Sequence, residues 1–147
     1  MDDWRKNLVT DDDGLRRVLK DAHRIAVLGI KPETRADRAA YYVPAYLQEN
    51  GYEIVPVPVY YPDATEILGE PVQRELTKLP GSIDLVDVFR RPQDIPPHVP
   101  DILELKPRYV WFQLGLRNDE AARRLAEAGI EVVQDRCILA EHRRLLG

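Results

Sequence analysis

Ile25-Ala26-Val27-Leu28-Gly29 is an apolar run that ends on a glycine, and the stretch after it, Lys31 to Arg38, is basic and loop-like. A helical pattern begins only beyond that stretch. A buried strand that runs into a loop and then into a helix N-terminus is how doubly wound α/β domains hold the phosphates of a nucleotide. These residues therefore predict a nucleotide-like small-molecule ligand more than they predict a reaction.

Reading outward, Thr10 with Asp13 three residues later predicts a helix N-cap box, and Leu15, Val18, Leu19 and Ala22 repeat at helical spacing. After the loop, a helix is expected to begin near Ala40 or Tyr41, because Pro44 is tolerated best in a first turn. It should end at Asn50 with Gly51 at C′. Tyr52 to Val57 reads as a second strand, with Pro56 and Pro58 placing it at an edge or an end. Tyr60 to Asp63 is a loop, and Gly69 to Pro80 is mixed: a short strand and one helical turn within Val72 to Leu79. Ile83 to Phe89, Tyr109 to Gln113 and Ile130 to Val133 complete five strands. Helices are expected over Pro96 to Lys106, after the Asn118 cap, and over Cys137 to Leu146. The fold class is α/β: a Rossmann-like, doubly wound, mainly parallel five-stranded sheet with helices on both faces. Its carboxyl edge would collect the segments after Gly29, Val57, Phe89 and Gln113.

The chain has 147 residues and is read as one domain, 1–147. A net charge of −4 argues against a general nucleic-acid surface, so any anion site must be a local basic cluster. No apolar run approaches the ~20 residues that span a bilayer. The N-terminus lacks the pattern of a signal peptide. One cysteine, Cys137, allows no internal disulfide. These features point to the cytoplasm.

Neither a Walker-type loop nor G-x-G-x-x-G is present, and Val57-Pro58-Val59 offers no acid for a ribose, so an ordinary NAD site is disfavoured. Lys31, Arg35 and Arg38 after the first strand, and Arg90 and Arg91 after the third, are candidate phosphate ligands, since guanidinium forks match phosphate oxygens. Taken singly, each also reads as a solvated surface cation. Tyr41, Tyr42, Tyr60 and Tyr61 can stack on a base; the first two can equally pack into the core, the others on the surface. His23, His98 and His142 show no metal-ligand spacing. Ser82 precedes the third strand, at the wrong edge for a catalytic triad. Cys137 follows Asp135-Arg136, where a thiol could be activated; the simpler reading is a small buried residue without a role. Glu66, Glu70 and Glu75 read as a solvated acidic face.

An ordered set of segments then suggests a family. Ile25 to Gly29, Tyr42-Val43-Pro44 to Leu47, Gly51-Tyr52, Ile54-Val55-Pro56-Val57, Leu68-Gly69-Glu70, Asp87-Val88-Phe89-Arg90-Arg91-Pro92, Val110 to Gly115 and Asp135-Arg136-Cys137 together resemble the small stand-alone CoA-binding proteins. These are similar in turn to the CoA-binding domain of the succinyl-CoA synthetase alpha subunit. The resemblance covers nearly the whole chain and implies coenzyme A, or an acyl-CoA, bound across the carboxyl edge. It implies that Gly29, Ile30 and Lys31 face phosphates and that Arg38 leads into the first site helix. Val88, Phe89, Arg90, Arg91 and Pro92 would flank the nucleotide, and Gln113, Leu114 and Gly115 form the turn after the fourth strand. Tyr42, Val57 and Pro58 complete the candidate cofactor-binding residues. Where the family usually reads Val-Asn-Pro after its second strand, this chain has Val57-Pro58-Val59. Its loop after Gly29 is also poorer in glycine than the synthetase loop. The synthetase's phosphorylated histidine lies in a second domain that this chain lacks, so that activity is not expected.

Three functions follow. The first is CoA or acyl-CoA binding without catalysis of its own. The second is an enzyme, either an NAD(P)-dependent oxidoreductase or the accessory subunit of an acyl-CoA ligase. The third is a protein-interaction module. The first requires the turns bearing Lys31–Arg38 and Arg90–Arg91 to converge on one rim.

Overall fold

The computed structural model describes residues 3–147. Seven strands and five α-helices follow one another along it: α1 (Asp12–Asp21), β1 (Arg24–Leu28), α2 (Ala39–Glu49), β2 (Glu53–Val57), β3 (Glu66–Ile67), β4 (Glu70–Pro71), β5 (Leu85–Val88), α3 (Val99–Leu105), β6 (Tyr109–Phe112), α4 (Asp119–Glu127), β7 (Glu131–Val133) and α5 (Ile138–Leu145). Five strands form one sheet in the order β2-β1-β5-β6-β7, with every pairing parallel. β3 and β4 form a separate antiparallel hairpin.

Side chains alternate across the sheet and build two cores. Ile25, Val27, Leu85 and Trp111 pack against Leu15 and Leu19 of α1, Val43 and Leu47 of α2 and Ile138 of α5. Ala26, Leu28, Val86 and Phe112 pack against Val99 and Ile102 of α3 and Ala121 and Leu125 of α4. Helices therefore cover both faces, as the apolar strands predict. Among the described residues, no helix is long and apolar enough to cross a membrane.

Several local expectations need correction. α1 is capped by Asp11 rather than Thr10: the Asp11 carboxylate accepts the Gly14 amide at 3.2 Å. Only Val99–Leu105 of the Pro96–Lys106 segment is α-helical, because the prolines at 92, 96 and 97 hold the chain before it in short 3₁₀ turns. The mixed Gly69–Pro80 segment does carry a short strand, β4, and one helical turn, the 3₁₀ turn Leu76–Lys78; what was not expected is that β4 pairs with β3 in a hairpin whose turn places Leu68 and Gly69 at positive φ. The segment continues past the outer side of β2, where the Gln73 amide donates to the Pro56 carbonyl at 2.9 Å.

Pro44 is the correction with consequences. α2 starts at Ala39, so Pro44 stands inside the helix rather than in its first turn. Its missing N–H leaves the Ala40 carbonyl without its helical donor. The Lys31 amide takes that place at 3.1 Å, tying the loop after β1 to α2.

Candidate functional site

Parallel strands end on one edge, and here the order reverses between β1 and β5. The chain leaves β1 for β2, then returns to the other side of β1 as β5. Ligands of open α/β sheets lie in the crevice at such a reversal. Gly29 and Phe89 bound it. The Gly29 amide donates to the Val57 carbonyl at 2.8 Å, and the Phe89 amide to the Leu28 carbonyl at 2.9 Å. Gly29 has φ +90°, and a Cβ on it would stand 2.3 Å from the Phe89 carbonyl oxygen and 3.4 Å from Cδ of Arg90. A residue without a side chain is what lets the two turns touch, so the loops that follow β1 and β5 start side by side.

α2 opens toward this crevice. Asp11, Asn118 and Gln113 supply side-chain acceptors to the first turns of α1, α4 and α5. Arg38, the N-cap of α2, supplies none. Its carbonyl accepts the Tyr41 and Tyr42 amides at 2.9 Å each. The first-turn donors and the positive end of the helix dipole therefore point at the edge without a side-chain acceptor.

Arg90 is the best-held cation there. Its Nε donates to Nε2 of His98 at 3.3 Å, its Nη2 lies 4.0 Å from the Asp94 carboxylate, and its guanidinium lies 5.8 Å from the centre of the Tyr60 ring. Burial, then the Arg90 charge, hold His98 below its ordinary value of 6.5. The imidazole is thus neutral at pH 7 and can accept from Arg90. Arg91 is exposed and donates to Asp94 at 2.8 Å. Arg35 and Arg38 are exposed, Arg38 lying 3.9 Å from Asp37. His98, read from sequence only as a histidine without metal-ligand spacing, and Asp94 were not among the candidate cofactor-binding residues. Their spacing of four and eight residues from Arg90 carries no motif; the proline-bounded turns bring them back onto it.

The remaining candidates divide by what they expose. Ile30, Val57, Pro58 and Val88 are buried and present only backbone to the edge. The paired tyrosines part: Tyr41 packs on the core and Tyr42 is exposed. Tyr60 is 65% exposed. Pro92 is anchored through its carbonyl, which accepts from Nδ2 of Asn118 at 3.0 Å. Gln113 is buried, and its Oε1 accepts the Ile138 amide at 3.2 Å. Its side chain is therefore committed to capping α5. The turn after it presents Leu114, 69% exposed, and Gly115, whose amide donates to Asp135 at 2.7 Å.

Two cavities open toward the two ends of the sheet, neither of them lined by Gly29, Phe89 or Arg90. One of about 680 Å³ lies on the β2 side, between Pro32–Thr34 and the Tyr60–Ala64 loop. One of about 520 Å³ lies on the β7 side, beside Leu114, Asp135 and Cys137. Cys137 is half-buried rather than buried. Ser82 sits near the opposite edge, its carbonyl accepting from Arg24 at 3.0 Å.

Sheet order, crevice and helix placement define a Rossmann-like α/β domain. Within that class the chain belongs to the CoA binding domain family, whose sequence profile matches residues 23–143. It is 38% identical over 128 residues to the uncharacterized protein YneT of Bacillus subtilis (strain 168), covering 87% of this chain and 91% of that protein. Among solved structures, it is 42% identical to the cell-free ID.343 protein of Thermus thermophilus, with a TM-score of 0.85 over 93% of this chain and 100% of that one. A hypothetical protein of Pyrococcus horikoshii OT3 is 34% identical, with a TM-score of 0.84 over 94% of each chain. The acetyl-coenzyme A synthetase 1 of Ca. Korarchaeum cryptofilum shares the fold at 18% identity and a TM-score of 0.65. That match covers 80% of this chain and 26% of the synthetase.

Proposed function

We propose that the chain, as one unit of residues 1–147, binds coenzyme A or an acyl-CoA along the carboxyl edge and performs no catalysis of its own. The observation that carries this reading is the contact between Gly29 and Phe89 at the strand-order reversal, in a chain of the CoA binding domain family. The diphosphate would lie over the backbone of Gly29, Ile30 and Lys31 and the uncapped first turn of α2. Arg38, Arg90 and Arg91 would supply positive charge. The β2-side cavity beside Tyr60 suits the base, and the β7-side cavity beside Leu114 suits the pantetheine arm. The residues thus fit the ligand's chemistry: donors and cations at the centre, aromatic and apolar surface at the ends.

Coenzyme A at a hundred times its dissociation constant should stabilise the fold by about 2.7 kcal/mol. For a chain of this size that is a rise in melting temperature of about 5–10 °C. No shift at moderate salt removes the proposal. NADH or NADPH binding more tightly than coenzyme A in parallel titrations replaces it with an oxidoreductase. The double variant Arg90→Ala/Arg91→Ala should bind coenzyme A more weakly and with a shallower salt dependence. Unchanged affinity in that variant favours an interaction module that kept the fold alone.

A further inference from the structure

Asp87 breaks the apolar pattern of β5, the central strand of the sheet. It is fully buried, and neither carboxyl oxygen has a hydrogen-bond partner. Its neighbours in register are Val27 of β1 and Trp111 of β6, so it faces the core under α1, α2 and α5. The next residue of β5's chain on that face is Phe89, level with Gly29. Asp87 therefore lies one pleat, about 7 Å along the strand, below the turn where the phosphates are proposed to sit.

The other titratable groups of this face are occupied elsewhere. His142 of α5 is bonded to Tyr46 of α2 at 2.7 Å, Tyr52 donates to the Leu19 carbonyl of α1, and Tyr109 donates to Asp21. Tyr41 and Cys137 pack against the same core without bonding to Asp87. The turns at the edge above carry Lys31, Arg35, Arg38, Arg90 and Arg91 as cations and Glu33, Asp37 and Asp94 as acids. Burial alone acts on the carboxyl and raises it well above the ordinary aspartate value, with no charged group compensating.

An anion arriving one pleat above is separated from this group by packed, poorly polarisable protein, where charges are weakly screened. A neutral carboxyl tolerates it; a carboxylate repels it. Building on the coenzyme A reading, we propose that Asp87 makes ligand binding proton-linked: the edge takes a phosphate-bearing ligand with Asp87 carrying its proton, and releases it as that proton is lost.

Acetyl-CoA, which has no free thiol to titrate, is the probe. Its affinity for the wild-type protein and for Asp87→Asn is measured calorimetrically from about pH 6 to about pH 9.5, in buffers of different ionisation heat. Wild-type affinity should fall by up to about tenfold per pH unit across the Asp87 titration, with binding accompanied by uptake of up to one proton. The asparagine variant should lose that slope and that uptake. Superimposable profiles overturn the inference and leave the coenzyme A reading standing; absence of binding at every pH overturns both. Should the variant fail to fold, the wild-type proton count decides: no net proton uptake on binding at any pH of the measured range overturns the inference.

Discussion

Gly29 carries the geometry of the edge by lacking a side chain. Its φ of +90° suits glycine, and the atom a methyl would strike is a backbone carbonyl, which cannot swing aside. Gly29→Ala should lower stability by about 2 kcal/mol or more and part the turns after β1 and β5. Urea unfolding together with coenzyme A titration checks this; an unchanged midpoint would refute it. The glycine was legible in the sequence because it closes an apolar run. Asp87 entered the sequence reading only as the first residue of the Asp87–Pro92 segment that carries the family resemblance. That it faces a core with no partner depends on register with Val27 and Trp111, which no local pattern encodes. Arg90 was legible as a strand-end cation, but its clamp by Tyr60, Asp94 and His98 was not.

At the level of elements, caps and prolines determine how loops meet helices. The loop after β1 is held through a carbonyl that Pro44 leaves open, so a residue that weakens α2 anchors Lys31 above it. Pro44→Ala restores the helical donor to Ala40 and sets it in competition with the Lys31 amide. The unfolding midpoint should hold or rise. The Lys31 amide should exchange faster with solvent, and coenzyme A should bind more weakly. Unaltered protection at Lys31 would count against the anchor. The expectation that Pro44 sits in a first turn followed from local propensity. It failed because a tertiary contact supplies the partner that the helix lacks. The five strands of the main sheet and the five α-helices were legible, since burial on both faces leaves long apolar runs and amphipathic helices leave periodic ones. The hairpin of β3 and β4 was not, because two-residue strands are too short for a period to show.

Across the whole molecule, the amino edge fastens the sheet and leaves the carboxyl edge for a ligand. Asp84 accepts the His23 and Arg24 amides at 2.9 Å each and Arg108 at 3.1 Å, joining the entries of β1, β5 and β6. Burial pushes its carboxyl up, but the bonds from Arg24, His23 and Arg108 outweigh this and hold it below the ordinary 3.8. Because the folded value is the lower one, this stabilisation is present above the unfolded value and disappears as pH falls through the folded one. Asp84→Asn should cost about 2 kcal/mol at neutral pH, and the gap from wild type should close in acid. Melting curves from about pH 7 down to about pH 2.5 test this; a gap constant with pH would refute it. The sequence by itself determined the α/β class, five buried strands and the edge at which their loops gather, because burial and periodicity are local properties written residue by residue. Only the tertiary structure decided the strand order, the contact of Gly29 with Phe89, the clamp on Arg90 and the solitude of Asp87. Each of these depends on which distant segments become neighbours, and that is settled by packing the two cores together.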